Sequence, residues 1–108
     1  MKKEIKLGND TVEMSASALT PFLYKKMFQR DIIKDIQTLR EQATKDGSLD
    51  PEITVMLAYT MTKEAKKDLE PLEDWLSKYE LFDIYMAFND IVTLWGLNEQ
   101  TNSVPRKK

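Results

Sequence analysis

The sequence contains no cysteine and no histidine among its 108 residues. Without cysteine there can be no disulfide, no thiolate nucleophile and no zinc–thiolate site. Without histidine the chain lacks the usual general base near neutral pH and the commonest metal ligand. Most enzyme classes lose their usual machinery in this way, so we expect a protein that is not an enzyme and that uses no cofactor or metal.

Long apolar runs and an excess of one charge are also missing. No run approaches the roughly 18 apolar residues of a membrane span, and no apolar signal core follows the lysines of the initial MKKEIKLGND. The 16 basic and 18 acidic residues are interspersed and give a net charge of −2. A nucleic-acid or acidic-membrane binder would show a basic patch instead. We therefore expect a cytosolic protein that binds neither nucleic acid nor membrane.

The chain does have a late aromatic-rich stretch, from Pro71 to Trp95, which holds both tryptophans. Its apolar residues follow two stripes at helical spacing, and the phases of the two stripes differ. The first stripe is Leu72, Trp75, Leu76 and Tyr79, in phase with Phe82 and Met86; the second is Leu81, Ile84, Tyr85, Phe88, Ile91, Val92 and Trp95. The change of phase predicts two helices with a break near Glu80, and their aromatic bulk should supply most of the core.

The N-terminal residues predict a β-hairpin. Ile5 and Leu7 lie on one face of a first alternating segment, and Val12 and Met14 are the apolar residues of a second. The intervening Gly8-Asn9-Asp10 is a turn signal, because Gly and Asn accept positive φ at little cost. An isolated hairpin is marginal in water, so it should pack on a helix or on another copy of the chain. Its edges are open to pairing with a neighbour.

Two helices are predicted next, separated by a bend at Phe28-Gln29-Arg30. The first is capped either by Ser17 or by Thr20 with Pro21 at the first helical position, and Asp31 is a plausible cap for the second. The predicted apolar face of the first helix is Leu19, Phe22, Leu23 and Met27; that of the second is Ile32, Ile33, Ile36, Leu39 and Ala43, with Gly47 placed to end it.

A further helix begins at Asp50-Pro51-Glu52, which combines a capping Asp, Pro at the first position and an acid favoured by the helix dipole. It should run to about Lys66 and bury Ile53, Met56, Leu57, Thr60 and Met61. At the other end of the aromatic stretch, Gly96 is a stop signal. Positions 97–108 are polar and end in Arg106-Lys107-Lys108, which predicts a disordered, flexible basic tail that keeps the chain soluble.

These elements predict one fold class: α+β, mainly helical, with an N-terminal β-hairpin followed by about five short helices and the polar tail. Positions 1–96 would form a single domain. The chain is long enough to bury a modest core, since 42% of its residues are apolar.

Acidic residues offer one functional hypothesis. Glu73, Asp74, Asp83 and Asp90 lie near aromatics, and a hydrolase with paired carboxylates can be imagined. Each of them, however, falls where a solvated helix face would place it, and exposed acids are the norm on helices. Such an enzyme would also need a cleft with a carboxylate of raised pKa, and no pattern here indicates one.

Methionines offer a second hypothesis. Five of the six fall on or beside apolar stripes: Met14, Met27, Met56, Met61 and Met86. Methionine is an adaptable core filler and is also common on surfaces that hold varied partners. Met86 and Phe82 are displaced from the main stripe, so they are the best candidates for an exposed apolar patch that contacts a partner.

The order of the motifs resembles that of the tail assembly chaperones of long-tailed (siphovirus-type) phages and prophages of Gram-positive bacteria. The segments that carry the resemblance are Ala18-Leu19-Thr20-Pro21 with Tyr24-Lys25-Lys26, Phe28-Gln29-Arg30-Asp31, Glu73-Asp74-Trp75-Leu76, Phe82-Asp83-Ile84-Tyr85, Leu94-Trp95 and Lys107-Lys108. They span nearly the whole chain. One departure is Gln29, where a Gly would be expected in the bend.

The resemblance implies a function that composition alone does not. Such chaperones bind the long helical tape measure protein, keep it soluble and recruit major tail tube protein subunits during tail assembly. They tend to self-associate, act in the host cell cytoplasm and are absent from the mature virion. On this basis we expect Phe82 and Met86, with part of the helix from Phe22 to Met27, to contact the client, and the hairpin edge or helix stripes to join neighbouring copies. The alternative is a small phage-encoded adaptor or inhibitor that binds one folded protein.

Overall fold

A computed structural model of the chain describes residues 2–45 and 50–102. Its elements, in chain order, are β1 (Lys2–Leu7), β2 (Asp10–Ser15), α1 (Leu19–Phe28), α2 (Ile32–Lys45), α3 (Pro51–Ala65), α4 (Leu72–Leu76) and α5 (Leu81–Asn102). The predicted class, an α+β and mainly helical fold that begins with a β-hairpin, is confirmed.

The hairpin packs on the helices, as expected for a sheet of only two strands. β1 and β2 are antiparallel, with Ile5 opposite Val12, and Gly8 turns the chain at a φ of 61°. Ile5, Leu7 and Met14 are buried because β1 packs against α5 and β2 packs against α3. The alternation read from the sequence therefore marks the inner face of the sheet.

Helix α3 is the centre of the molecule. Asp50 caps it by accepting hydrogen bonds from the backbone N–H groups of Glu52 (2.9 Å) and Ile53 (3.3 Å), and Pro51 occupies the first turn, as predicted. All ten residues from 53 to 62 are buried, not only one face. This follows from the packing, because β2, α1, α2 and α5 all contact α3.

The predicted apolar face of α1 is wrong at Leu19 and Phe22, whereas Leu23 and Met27 are half-buried and Met27 packs against the core. Thr20 and Tyr24 are its fully buried residues, whereas Leu19 and Phe22 are exposed. The residue at the N-cap position is Ala18, which has no capping side chain, so neither predicted cap holds that position. Ser17, one residue earlier, still accepts the backbone N–H of Leu19 with its Oγ (3.0 Å), and its own N–H donates to Thr20 Oγ1 (2.9 Å). The buried side is polar at two positions because both hydroxyls find partners on other helices.

The bend and the second helix follow the sequence prediction in part. Gln29 ends α1 in the left-handed conformation, with a φ of 60°, and Asp31 Oδ1 accepts from the backbone N–H of Ile33 (2.9 Å) at the start of α2. Ile32, Ile36 and Leu39 are buried, but Ile33, which was expected in the same stripe, is exposed. The side chain of Ala43 and the loop around Gly47 lie outside the described residues.

The break near Glu80 is confirmed, since α4 ends at Leu76 and α5 begins at Leu81. The backbone N–H of Glu80 donates to Asp83 Oδ2 (2.9 Å), which caps α5. The buried stripe of α5 comprises Ile84, Ala87, Ile91, Leu94 and Trp95. Tyr85, expected in that stripe, is exposed; the side chains of Leu81 and Phe88 lie outside the described residues.

The predicted stop at Gly96 is wrong, because α5 continues to Asn102. A single glycine costs a helix about 1 kcal/mol relative to alanine, which is too little to end a helix of 22 residues. The rest of the predicted tail, positions 103–108, lies outside the described residues. In the described part of the chain, no helix has both the length and the apolar character needed to cross a membrane.

Candidate functional site

An apolar patch stands on one face of α5. Phe82 is 67% exposed, Met86 is 68% exposed, and Tyr85 is also exposed. The three residues are spaced i, i+3 and i+4, so their side chains lie next to one another along the helix. We call these three residues the α5 patch. It contains two of the four contact residues that the sequence predicted.

The other two predicted contact residues lie on α1 and differ from each other. Phe22 is 63% exposed, beside the exposed Leu19, whereas Met27 is half-buried and packs against the core. In the described part of the chain, α1 and α5 pack on α3, not extensively on each other. Phe22 and the α5 patch are thus not joined into one surface by packing between their two helices.

A groove that the sequence did not indicate lies between the end of α1, the first half of α3, and α4. It has a volume of about 500 Å³ and is lined by Phe28, Pro51, Glu52, Val55, Met56, Leu72 and Leu76. We call this the α3 groove. Periodicity could show only that Leu72 and Leu76 share a helical face, because the groove arises where three separate elements meet.

Five aromatic rings hold the elements around the α3 groove together. They are Tyr24, Phe28, Tyr59, Trp75 and Tyr79, and consecutive ring centroids are 5.5, 6.4, 5.6 and 5.4 Å apart. Each pair is edge-to-face, the arrangement favoured by the ring quadrupole. This aromatic ladder runs from α1 across α3 to α4, so it fixes the spacing of the groove walls.

A buried carboxylate joins α1 to α2. Asp35 accepts a hydrogen bond from the Tyr24 hydroxyl (2.6 Å) and two from the Arg30 guanidinium (2.7 and 2.8 Å). The hydrogen bonds from Arg30 hold the pKa of Asp35 below its usual range, while burial, followed by the contact with Asp35, raises the pKa of Tyr24. A lowered carboxyl pKa is the opposite of what a general acid at neutral pH requires, so the geometry is that of a structural clamp.

A second carboxylate ties the end of α3 to the start of α1. Glu64 accepts hydrogen bonds from the hydroxyls of Ser15 (3.2 Å), Ser17 (2.6 Å) and Thr20 (2.5 Å). All three donors belong to the junction between β2 and α1, and bonds from hydroxyl groups to a carboxylate are stronger than those between neutral groups. Glu64 therefore explains why a threonine occupies the buried side of α1.

The acidic residues considered for a hydrolase do not converge. Glu73, Asp74 and Asp90 are exposed, and Asp83 is half-buried as the cap of α5. Across residues 2–45 and 50–102, no three acidic side chains are grouped so that they could hold a metal ion. Among the described residues, the acids thus serve as caps, clamps and solvated faces.

Comparison with known proteins adds no relative. No family model matches the chain, and neither a curated protein nor a solved structure matches it.

Proposed function

We propose that the protein is a phage tail assembly chaperone. It would bind the tape measure protein, keep it soluble and help to recruit major tail tube subunits, in the host cell cytoplasm and not in the mature virion. The ordered motifs from Ala18-Leu19 to Leu94-Trp95 support this assignment. The observation that carries it is the α5 patch, where Phe82 and Met86 are each about two-thirds exposed.

A physical mechanism links the patch to such a client. A tape measure protein is a long amphipathic helix, and its apolar stripe would aggregate in water if it were left bare. Exposed aromatic and methionine side chains can cover such a stripe, because methionine adapts to varied surfaces and a helix presents anchors at i, i+3, i+4 and i+7. Many copies along one client would then hold it through avidity, even if each contact is weak.

The hairpin supports self-association in the same proposal. In the described part of the chain, β1 pairs only with β2, so each strand has one edge with unpaired backbone groups. Such edges are templates for strand pairing with a neighbouring chain. Copies aligned on a helical client could be joined in this way.

The test is a double substitution, Phe82→Ser with Met86→Ser, in a chain expressed with its native gene cluster. We expect at least about a tenfold loss of client retention, because two apolar side chains that become buried on binding contribute about 1.5–3 kcal/mol each. The fold should survive, since both side chains are exposed. Ile33→Ser is the matched control, because Ile33 is an exposed apolar residue on a different helix.

The readouts are pull-down with mass spectrometry and thermal unfolding of the purified variants. A very large, helix-rich protein retained by the unmodified chain and by Ile33→Ser, but not by the double variant, supports the proposal. Unfolding of the double variant would mean that the α5 patch belongs to the core. Recovery of one small folded protein with no long client would favour the alternative, an adaptor or inhibitor with a single interface.

A further inference from the structure

The α3 groove is a second apolar surface, separate from the α5 patch. The two share no residue: the groove is lined from α1, α3 and α4, whereas the patch belongs to α5. Substitutions in one can therefore be made without altering the other, so each surface can be tested by itself.

The groove is formed before any partner arrives. Trp75 is buried against Tyr59 on the aromatic ladder, and the Tyr59 hydroxyl donates to the backbone carbonyl of Glu70 (2.7 Å), just before α4. Phe28 is held at the other wall by contacts with Tyr24 and Tyr59. A partner would not have to order these walls, and binding to a preorganised surface loses less conformational entropy.

The lining chemistry indicates apolar side chains as the occupant. Six of the seven described lining residues are apolar, and the exception, Glu52, is exposed. A site for a small polar ligand would place several polar groups around its cavity to fix the ligand's orientation, and the described lining offers only this one carboxylate. The apolar face of an amphipathic helix needs no such groups.

The charge at the groove indicates which residues should flank the apolar face of the partner helix. Glu52 lines the groove and is exposed, and none of the described lining residues is basic. Arg30 interacts electrostatically with Glu52. Its guanidinium is already bound by Asp35 through two hydrogen bonds, so its charge is compensated there. Glu52 is therefore the charged group that the described lining offers, and it complements lysine or arginine on a partner.

We propose that the α3 groove docks one amphipathic helix of a partner protein, with its apolar side chains between α1, α3 and α4 and a basic residue against Glu52. Taken as a second contact for the tape measure client, this docking rests on the proposed function. A client long enough to pass both surfaces would be held at two points on each copy.

The experiment titrates the full-length chain, labelled for NMR, with a synthetic amphipathic helix whose leucine face is flanked by lysines. A twin peptide carries glutamates in place of the lysines. We expect the lysine peptide to shift the backbone amides of Val55, Met56, Leu72 and Leu76. Glu52→Lys should lower the affinity for the lysine peptide by about fivefold to tenfold, since it replaces attraction by repulsion at a solvent-exposed site. The same substitution should lower the affinity for the glutamate peptide less, or raise it.

The matched control is Glu41→Lys, which makes the same charge change at an exposed position of α2 that does not line the groove. It should change the affinity by less than about twofold. Three results would each overturn the docking site. The first is that the amide shifts are confined to the α5 patch, and the second is that the two charge changes affect the affinity for the lysine peptide equally. The third is that the lysine peptide does not bind.

Failure of this site can be distinguished from failure of the proposed function. If the unmodified chain retains a long helical client in the pull-down and Glu52→Lys retains it equally, the groove is not a client contact while the chaperone assignment stands. If the lysine peptide binds the groove but no long client is recovered, the docking site stands and the tape measure assignment fails.

Discussion

Gly8, in the hairpin turn, lies so close to Asp83, in the first turn of α5, that there is no room for a side chain at Gly8. A Cβ atom placed on Gly8 would lie 2.9 Å from Asp83 Oδ2 and 3.1 Å from its Cγ. The Asp83 carboxylate can move away only by giving up a hydrogen bond, since its Oδ2 accepts the backbone N–H of Glu80 at 2.9 Å. The turn and the cap of α5 therefore depend on each other.

Gly8→Ala should lower the free energy of unfolding by about 1–3 kcal/mol. The left-handed conformation costs a residue with a Cβ about 1–2 kcal/mol, and displacing Asp83 weakens a helix cap worth about 1 kcal/mol. Chemical denaturation would measure the loss. In an Asp83→Ala background, the same substitution should cost less, because the contact has been removed. Equal costs in the two backgrounds would show that the Asp83 contact contributes nothing.

Gln29→Gly should raise the free energy of unfolding by about 0.5–1 kcal/mol. Gln29 has a φ of 60° at the end of α1, a position where glycine avoids the strain that a Cβ imposes. The gain is reduced by the greater freedom of glycine in the unfolded chain and by loss of the exposed 3.2 Å bond from Gln29 Nε2 to the Lys26 carbonyl.

The control for this substitution is Gln37→Gly, on an exposed position within α2. It should lower stability by about 1 kcal/mol, because glycine in a helix interior is unfavourable. Thermal or chemical unfolding would measure the stability of both variants against the unmodified chain. A loss of stability in Gln29→Gly would contradict the strain assigned to the bend.

Asp35→Asn should lower stability at neutral pH by about 1–3 kcal/mol. It removes the charge that accepts bonds from Tyr24 and Arg30, and hydrogen bonds to charged groups contribute about 1.5–3 kcal/mol. The exposure of the Arg30 side chain reduces this value. Tyr24→Phe, which removes one bond and leaves the ion pair, should cost about 1 kcal/mol.

Asp35→Asn should also change how the free energy of unfolding depends on pH in acid. The folded pKa of Asp35 is lowered, so its contribution is present above the unfolded value of about 3.9 and is lost as the pH falls through the folded pKa. The difference in stability between the unmodified chain and Asp35→Asn should therefore narrow below about pH 4. A difference that stays constant from pH 7 to acid would contradict the assigned pKa shift.

Several elements could be predicted because their signals are local. The turn at Gly8, the cap at Asp50 and the break near Glu80 each depend on residues that are neighbours in sequence. The inner face of the hairpin was also readable, because alternation in a strand maps directly onto its two faces.

Other features could not be read because they depend on distant partners. The buried side of α1 contains Thr20 and Tyr24, whose hydroxyls are satisfied by Glu64 and Asp35. Hydrophobic periodicity assigns such polar positions to the solvent-facing side, so it predicted Leu19 and Phe22 as buried residues instead. The α3 groove was missed for a related reason, since no single segment contains the pattern that forms its walls.

The burial of α3 on every side has a consequence for how the molecule opens. The amides of residues 53–62 belong to a helix enclosed by β2, α1, α2 and α5, so no fraying of one neighbour gives water full access to them. Their hydrogen–deuterium exchange should therefore require cooperative opening of the whole structure. The exchange rate of this single helix would then report the global stability of the protein, even while the surface helices exchange through local motions.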